Sequence, residues 1–293
     1  MKRSPLHCPL PKKREKTSLN SLISPAKLNL FFRVLQKRPD GYHDIASLFQ
    51  AVDLFDRLFF CYADADALSC TDPAIPKDNT NLVARALALF RRHYPLPPVQ
   101  IHIEKRIPVQ AGLGGGSSNA ATALWGFNEL AGRPYTQDQL IQMGAEIGSD
   151  VPFFFSSGAA YCTGRGEILE PYHLPEPLSG FIAKPAYGLS TPLVYQNTRP
   201  AESLPRDPRQ ALSHYPQFFN DLETPAFRLE PRLAILQREL RKRFATVVMT
   251  GSGTAFFCLR GEPSPIPGVV FYPFGSLHRP DLSSWYTAAT PKV

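Results

Sequence analysis

Long apolar runs are missing from this chain. No stretch reaches the ~18 residues that a membrane-spanning helix needs, and the N-terminus lacks the apolar core, about 7–15 residues long, of a secretory signal. No membrane association is therefore expected, and the expected compartment is the cytoplasm. Paired cysteines are missing too: Cys8, Cys61, Cys70, Cys162 and Cys258 are scattered, odd in number and never in a C-x-x-C arrangement, which argues against a disulfide framework or a zinc site. There is no internal repeat. The longest glycine run is followed by no lysine, so it is not a P-loop. It also lacks the earlier βαβ start, and the acidic residue about 20 positions on, that a dinucleotide fingerprint requires.

Charge is unevenly spread. Of a net +7, +5 falls in the first 16 residues, where Lys2, Arg3, Lys12, Lys13, Arg14 and Lys16 face only Glu15. The remainder of the chain is close to neutral, which weakens any nucleic-acid reading of the total. With prolines 5, 9 and 11, residues 1–20 read as a basic disordered extension, a short transit peptide being the other reading. The 293 residues suffice for one large domain or two packed ones.

The most informative stretch is Pro108 to Leu124, where four glycines and two serines run into an alanine-rich apolar segment. Glycines let backbone N–H groups approach an anion, and the start of the following helix favours negative charge there. A plain flexible turn has the same composition. The context is strand, loop, helix: Val99, Ile101 and Ile103 alternate with polar residues before the loop, and Ala120, Ala121, Leu124, Phe127 and Leu130 share one helical face after it. Upstream, Asp78-Asn79-Thr80-Asn81 offers N-cap chemistry to a helix carrying Leu82, Ala86, Leu89 and Phe90.

Ala26, Leu28, Leu30, Phe32 and Val34 alternate with Lys27, Asn29, Phe31 and Arg33. This is a half-buried strand whose polar face, with Lys27 and Asn29, reads either as solvated or as functional. Arg38-Pro39-Asp40-Gly41 turns the chain, with Tyr42 and His43 just beyond and a returning strand over 45–58. Thr136 and Gln139 form a capping box, and Gly148 stops that helix. Asp150 then stands before Val151-Pro152 and Phe153-Phe154-Phe155, which read as an apolar strand; the aspartate is either a turn residue or a site carboxylate. Later come a strand at 179–183, a loop over 184–192, an amphipathic helix from Pro231 through Leu240 and Phe244, and a second glycine loop, Thr250-Gly251-Ser252-Gly253. Residues 197–230 show no pattern.

The strand Pro25-Ala26-Lys27-Leu28-Asn29-Leu30, the run Gly112-Leu113-Gly114-Gly115-Gly116-Ser117-Ser118 and the late Thr250-Gly251-Ser252-Gly253 together resemble, in order and spacing, the three motifs of the GHMP small-molecule kinases. Asp40-Gly41-Tyr42-His43 and Ile147-Gly148-Ser149-Asp150-Val151-Pro152 narrow the resemblance. They are similar to the elements of members that phosphorylate the 2-hydroxyl of 4-diphosphocytidyl-2-C-methyl-D-erythritol in the non-mevalonate route to isoprenoid precursors. The resemblance spans roughly residues 22–260.

It implies an α/β (α+β) fold of two domains, an N-terminal ribosomal-protein-S5-like one at 21–163 that binds ATP and a C-terminal ferredoxin-like one at 164–293 that closes the substrate cleft. It implies ATP and Mg²⁺ as cofactors, the Mg²⁺ ligands being unassigned. Lys27 and Asp150 match the catalytic pair. Pro108, Val109, Gln110, Ala111, Gly112, Leu113, Gly114, Gly115, Gly116, Ser117 and Ser118 match the phosphate loop, and Lys105 and Asn81 the approach to adenine. Asn29, Tyr42, His43, Thr191 and Tyr195 match substrate contacts, Tyr42 and His43 belonging to the cytosine pocket. The implied partner is a small molecule, with no nucleic acid and no membrane, for a monomer or homodimer. The readings set against it are another GHMP kinase, of homoserine or mevalonate type, and an S5-like nucleic-acid-binding protein.

Overall fold

The computed structural model describes residues 19–199, 208–213 and 217–287. The basic extension, up to residue 18, lies outside them. The alternating segment around Lys27 becomes the middle of β1 (Leu19–Lys37), which pairs antiparallel with β2 (His43–Tyr62). The turn between them closes as its residues dictate. Arg38 N–H donates to Tyr42 O at 2.8 Å, and Gly41 takes φ +86°, a left-handed value that glycine adopts freely. So long a ribbon cannot stay flat, and register shifts at Pro25/Ala26 and Asn29/Phe31 bend it on either side of Lys27.

The chain continues through β3 (Ala67–Cys70), α1 (Leu82–His93), β4 (Val99–Glu104), α2 (Gly115–Leu130), α3 (Gln137–Ile147), β5 (Ala159–Thr163) and β6 (Ile168–Pro171). Then follow β7 (Ser179–Pro185), α4 (Thr191–Gln196), α5 (Gln210–Ser213), β8 (Phe219–Asn220), α6 (Glu223–Leu229), α7 (Arg232–Leu240), β9 (Phe244–Met249), β10 (Phe256–Gly261) and β11 (Val269–Gly275). One sheet runs β3-β4-β2-β1-β8, with the β5-β6 hairpin also paired to β2; the other runs β11-β7-β10-β9. Helix starts follow local chemistry: the Asn81 side chain accepts from Val83 N–H, and Thr136 and Gln139 bond reciprocally as a capping box.

Three apolar clusters define four layers. α1, α2 and α3 pack on the first sheet through Leu89, Phe90, Phe127 and Leu140. The two sheets meet through Ala26, Leu28, Leu30, Ile182 and Phe257. α6 and α7 close the second sheet through Ala226, Leu233, Leu236 and Leu240. The fold is thus the two-unit α+β arrangement expected from the resemblance.

Three local readings need correction. Phe153-Phe154-Phe155 is a 3₁₀ turn, Pro152–Phe155, with all four side chains buried. Three large apolar residues are buried equally well by a tight turn among helices, and Pro152 sits comfortably at its first position. The polar face of β1 is covered rather than solvated, Lys27 being 3% and Asn29 0% exposed, because the start of α2 and the second glycine loop lie over it. α2 begins at Gly115, inside the glycine run, so the positive end of its dipole lies there. Finally, α7 ends at Leu240 and Phe244 opens β9.

Candidate active site

β1 presents Ala26 and Leu28 to the inter-sheet core, so the strand's period of two turns Lys27 and Asn29 the other way. Their backbone groups splice the three motifs. Lys27 N–H donates to Leu113 O at 2.9 Å, and Asn29 N–H donates to Thr250 Oγ1 at 3.0 Å. Lys27 Nζ donates to Asn29 Oδ1 at 2.6 Å, lies 3.3 Å from Asp150 Oδ2 and sits 4.4 Å from the centre of the Phe49 ring. Asn29 Nδ2 donates to Ser47 Oγ at 2.9 Å, and the Ser47 hydroxyl donates to Phe31 O; this chain fixes the amide so that its oxygen faces the ammonium. The Lys27 side chain is 4% exposed and that of Asp150 32%. The cation is locked in place, while the carboxylate reaches open space at the end of α3.

The approach to the glycine run is fixed by Asp56, a residue the sequence reading passed over. It is fully buried and accepts from Arg106 N–H at 2.7 Å, Ile107 N–H at 2.8 Å and Lys105 Nζ at 2.8 Å, while Lys105 Nζ also donates to Ile107 O. An aspartate in the middle of an apolar strand was the available signal. Asp56→Ala strands a buried ammonium and two amides; we expect a loss of about 3–5 kcal/mol, read as a lowered midpoint in chemical or thermal denaturation.

Within the run, Gly112 and Gly114 take φ +76° and +68°, and each is crowded. A Cβ on Gly112 would fall 2.0 Å from Thr250 O, and one on Gly114 2.9 Å from Lys27 Cγ. Gly114 is the N-cap of α2 and supplies no side-chain cap. The first helical bond is Ser118 N–H to Gly114 O at 2.8 Å, so the amides of Gly115, Gly116 and Ser117 have no acceptor in the helix. An uncapped helix start with successive free amides is an anion cradle. Ser118 itself turns inward, its Oγ 2.8 Å from Ser24 Oγ.

A cavity of about 840 Å³ runs along this surface. Its wall holds Asn81, Lys105 and Pro108 through Ser117 at one end, Lys27 and Asp150 in the middle, and Tyr42, His43, Thr191 and Tyr195 at the other. Of the residues singled out from the sequence, Ser118 and Asn29 are not in the wall; both are fully buried behind it. At the far end the His43 and Tyr195 rings lie 5.5 Å apart, tilted by 31°, and Tyr42 is 56% exposed. Burial, and secondarily the Lys37 charge, lowers the His43 pKa, which leaves a neutral imidazole at pH 7. Burial raises the Tyr195 phenol well above its usual value.

Other contributors carried no sequence signal. Asn220 Nδ2 donates to Met249 O at 2.7 Å and Gly251 O at 2.8 Å, and Glu223 accepts from Met249 N–H at 2.9 Å, burial raising its pKa. These two brace the second glycine loop, whose Ser252 Oγ lies 2.7 Å from Thr191 Oγ1. Lys37, Arg165 and Gln196 also line the cavity. Among the described residues no cluster of three His, Cys, Asp or Glu side chains is placed to hold a metal, and no helix is long and apolar enough to cross a membrane.

Comparison with known proteins adds the following. Residues 81–158 match the family model for the GHMP kinases N terminal domain. The chain is 49% identical over 243 residues to a 4-diphosphocytidyl-2-C-methyl-D-erythritol kinase of Protochlamydia amoebophila (strain UWE25), covering 81% of this chain and 83% of the relative. It is 42% identical over 272 residues to the chloroplastic 4-diphosphocytidyl-2-C-methyl-D-erythritol kinase of Oryza sativa subsp. japonica, covering 87% and 67% respectively. A crystal structure of a 4-(cytidine 5'-diphospho)-2C-methyl-D-erythritol kinase superposes with a TM-score of 0.73 at 34% identity, over 87% of this chain and 98% of that one.

Proposed function

Because the chain belongs to the GHMP kinases, and within them to the 4-diphosphocytidyl-2-C-methyl-D-erythritol kinases, we propose that its cavity holds ATP at the glycine-loop end and the cytidine-bearing substrate at the aromatic end. Phosphoryl transfer then takes place between them, at Lys27 and Asp150. The reaction is ATP-dependent phosphorylation of the 2-hydroxyl of 4-diphosphocytidyl-2-C-methyl-D-erythritol. The observation that carries this reading is the Lys27–Asp150 pair in the wall of the same cavity as the uncapped start of α2.

Phosphoryl transfer asks of a protein mainly positioning and charge stabilisation. Asp150 accepts the proton of the attacking hydroxyl, and Lys27, held in place by Asn29, keeps Asp150 ionised and faces the developing negative charge. The amides of Gly115, Gly116 and Ser117 hold the phosphates, with Asn81 and Lys105 toward the adenine side. Tyr42 and Tyr195 flank the cytosine, the neutral His43 reads its edge, and Thr191 lies beside it on the second unit. Asn29, out of reach of the cavity, acts as a positioning residue for Lys27. The glycine cradle fits a triphosphate. Ser117 and Asp150, oxygen-bearing side chains in the cavity wall, would help to hold Mg²⁺, which would supply neutralisation of the phosphate charge.

In this reading the 21–163 unit carries the nucleotide, and 164–293 contributes Thr191, Tyr195 and Ser252 to the substrate end. Cys70, Cys162 and Cys258 are free thiols, in keeping with the cytoplasm as the compartment we propose. Coupled ADP release, measured with 4-diphosphocytidyl-2-C-methyl-D-erythritol, homoserine and mevalonate, tests the assignment. Turnover of the first alone is expected; turnover of homoserine alone would overturn it.

A further inference from the structure

Four fixed cations line the cavity, Lys27, Lys37, Lys105 and Arg165, and their partners set them apart. Lys27 is held by Asp150 and Asn29, and Lys105 by the buried Asp56. Lys37 is exposed at the end of β1. Arg165 is partly enclosed, with its side chain 31% exposed. Its Nε approaches Glu167 Oε1 at 3.4 Å, but its two terminal nitrogens have no hydrogen-bond partner among the described residues. The guanidinium therefore keeps a free donor edge of the kind that takes phosphate oxygens in pairs.

The backbone beneath it is fixed. Arg165 stands between Gly164 (φ +68°) and Gly166 (φ +115°). Ile45 N–H donates to Gly164 O at 2.7 Å, Gly166 N–H to Thr163 O at 3.0 Å, and Arg165 N–H to Glu167 Oε2 at 2.6 Å. This turn spans the two ends of the substrate region. A Cβ on Gly166 would lie 3.7 Å from Asp150 Oδ1, at the reaction centre, while the Arg165 guanidinium carbon is 5.1 Å from the centre of the Tyr42 ring, at the base end. A diphosphate joins the cytidine to the methylerythritol in the substrate proposed above, and this inference rests on that reading. We infer that Arg165 binds the substrate's own diphosphate and so selects nucleoside-diphosphate-linked acceptors over bare polyols.

The test uses the full chain carrying Arg165→Gln or Arg165→Lys, with cytidine and cytidine 5'-diphosphate as calorimetric probes beside steady-state kinetics. For Arg165→Gln, KM for the diphosphocytidyl substrate should rise about 10- to 100-fold, the size of a lost charge-assisted pair of bonds. kcat and KM for ATP should stay within about threefold, since neither reacting centre is touched. Binding of cytidine 5'-diphosphate should weaken in step with KM, binding of cytidine should not change, and Arg165→Lys should recover part of the loss. Equal weakening of both probes would overturn the inference and make Arg165 a support for the Tyr42 ring; an unchanged KM would overturn it outright. Should the wild-type chain itself fail to turn over the substrate, the activity reading falls, an outcome separable from the others because no variant is involved.

Discussion

Asp150→Asn is expected to lower kcat by about 10³-fold, with KM for either substrate changed far less. Asparagine keeps the size of the side chain but removes its negative charge and with it the capacity to take a proton, and positioned general bases contribute about 10²–10⁴ in rate. The fold should survive. Lys27 retains Asn29 Oδ1 at 2.6 Å and the Phe49 ring at 4.4 Å, and the carboxylate it loses is already a third exposed, so the stability cost should be about 1–2 kcal/mol. Rapid-quench measurement of the chemical step, paired with a thermal melt, checks both. A variant with full kcat would remove Asp150 from the chemistry altogether.

Gly112→Ala is expected to be the most damaging single-methyl change in the site. The added carbon would meet Thr250 O at 2.0 Å; that atom belongs to backbone and has no rotamer to escape into. The residue would also be held at φ +76°, a conformation costing an L-residue about 1–2 kcal/mol. Together with the forced separation of the two loops, a loss of about 3–5 kcal/mol follows. For a chain of this size that corresponds to a fall in Tm of about 10 °C, alongside a raised KM for ATP. Gly116→Ala is the control. Its Cβ would meet nothing closer than Leu82 Cδ1 at 3.8 Å, so the fold should change by less than about 1 kcal/mol, any effect being confined to ATP.

What the sequence could tell was set by how far apart the interacting residues lie. The alternation around Lys27, the helix start at Asp78-Asn79-Thr80-Asn81 and the box at Thr136 and Gln139 are local, and the structure contains them, with Asn81 as the cap. The cover over Lys27 and Asn29 is not local: it arrives from residues near 114 and 250, and it decides between the two readings of that face, solvated or functional, against the first. Phe153 to Phe155 show that burial alone does not distinguish a strand from a tight turn. The two-residue β8, pairing Phe31 with Phe219, is too short to leave a periodic trace, and Asn220 and Glu223 beside it went unseen with it. Asp56 was legible in principle, as a charge inside an apolar strand. Arg279, 2% exposed and enclosed by Trp125, Trp285 and Tyr286, was not, because its cage joins a residue in the middle of the chain to others near its C-terminal end.

The two glycine loops touch backbone to backbone, at Gly112 against Thr250 and Gly253, and β1 holds them both by its amides. Occupancy and order at one loop therefore share a free energy with order at the other. Nucleotide bound on the first loop should slow amide hydrogen exchange in Met249 to Gly253, in a different sheet from β1, and cytidine 5'-diphosphate on the far side should in turn tighten nucleotide binding by the same factor. The contact that makes Gly112 intolerant of a methyl group would thus be what lets each substrate report its arrival to the other.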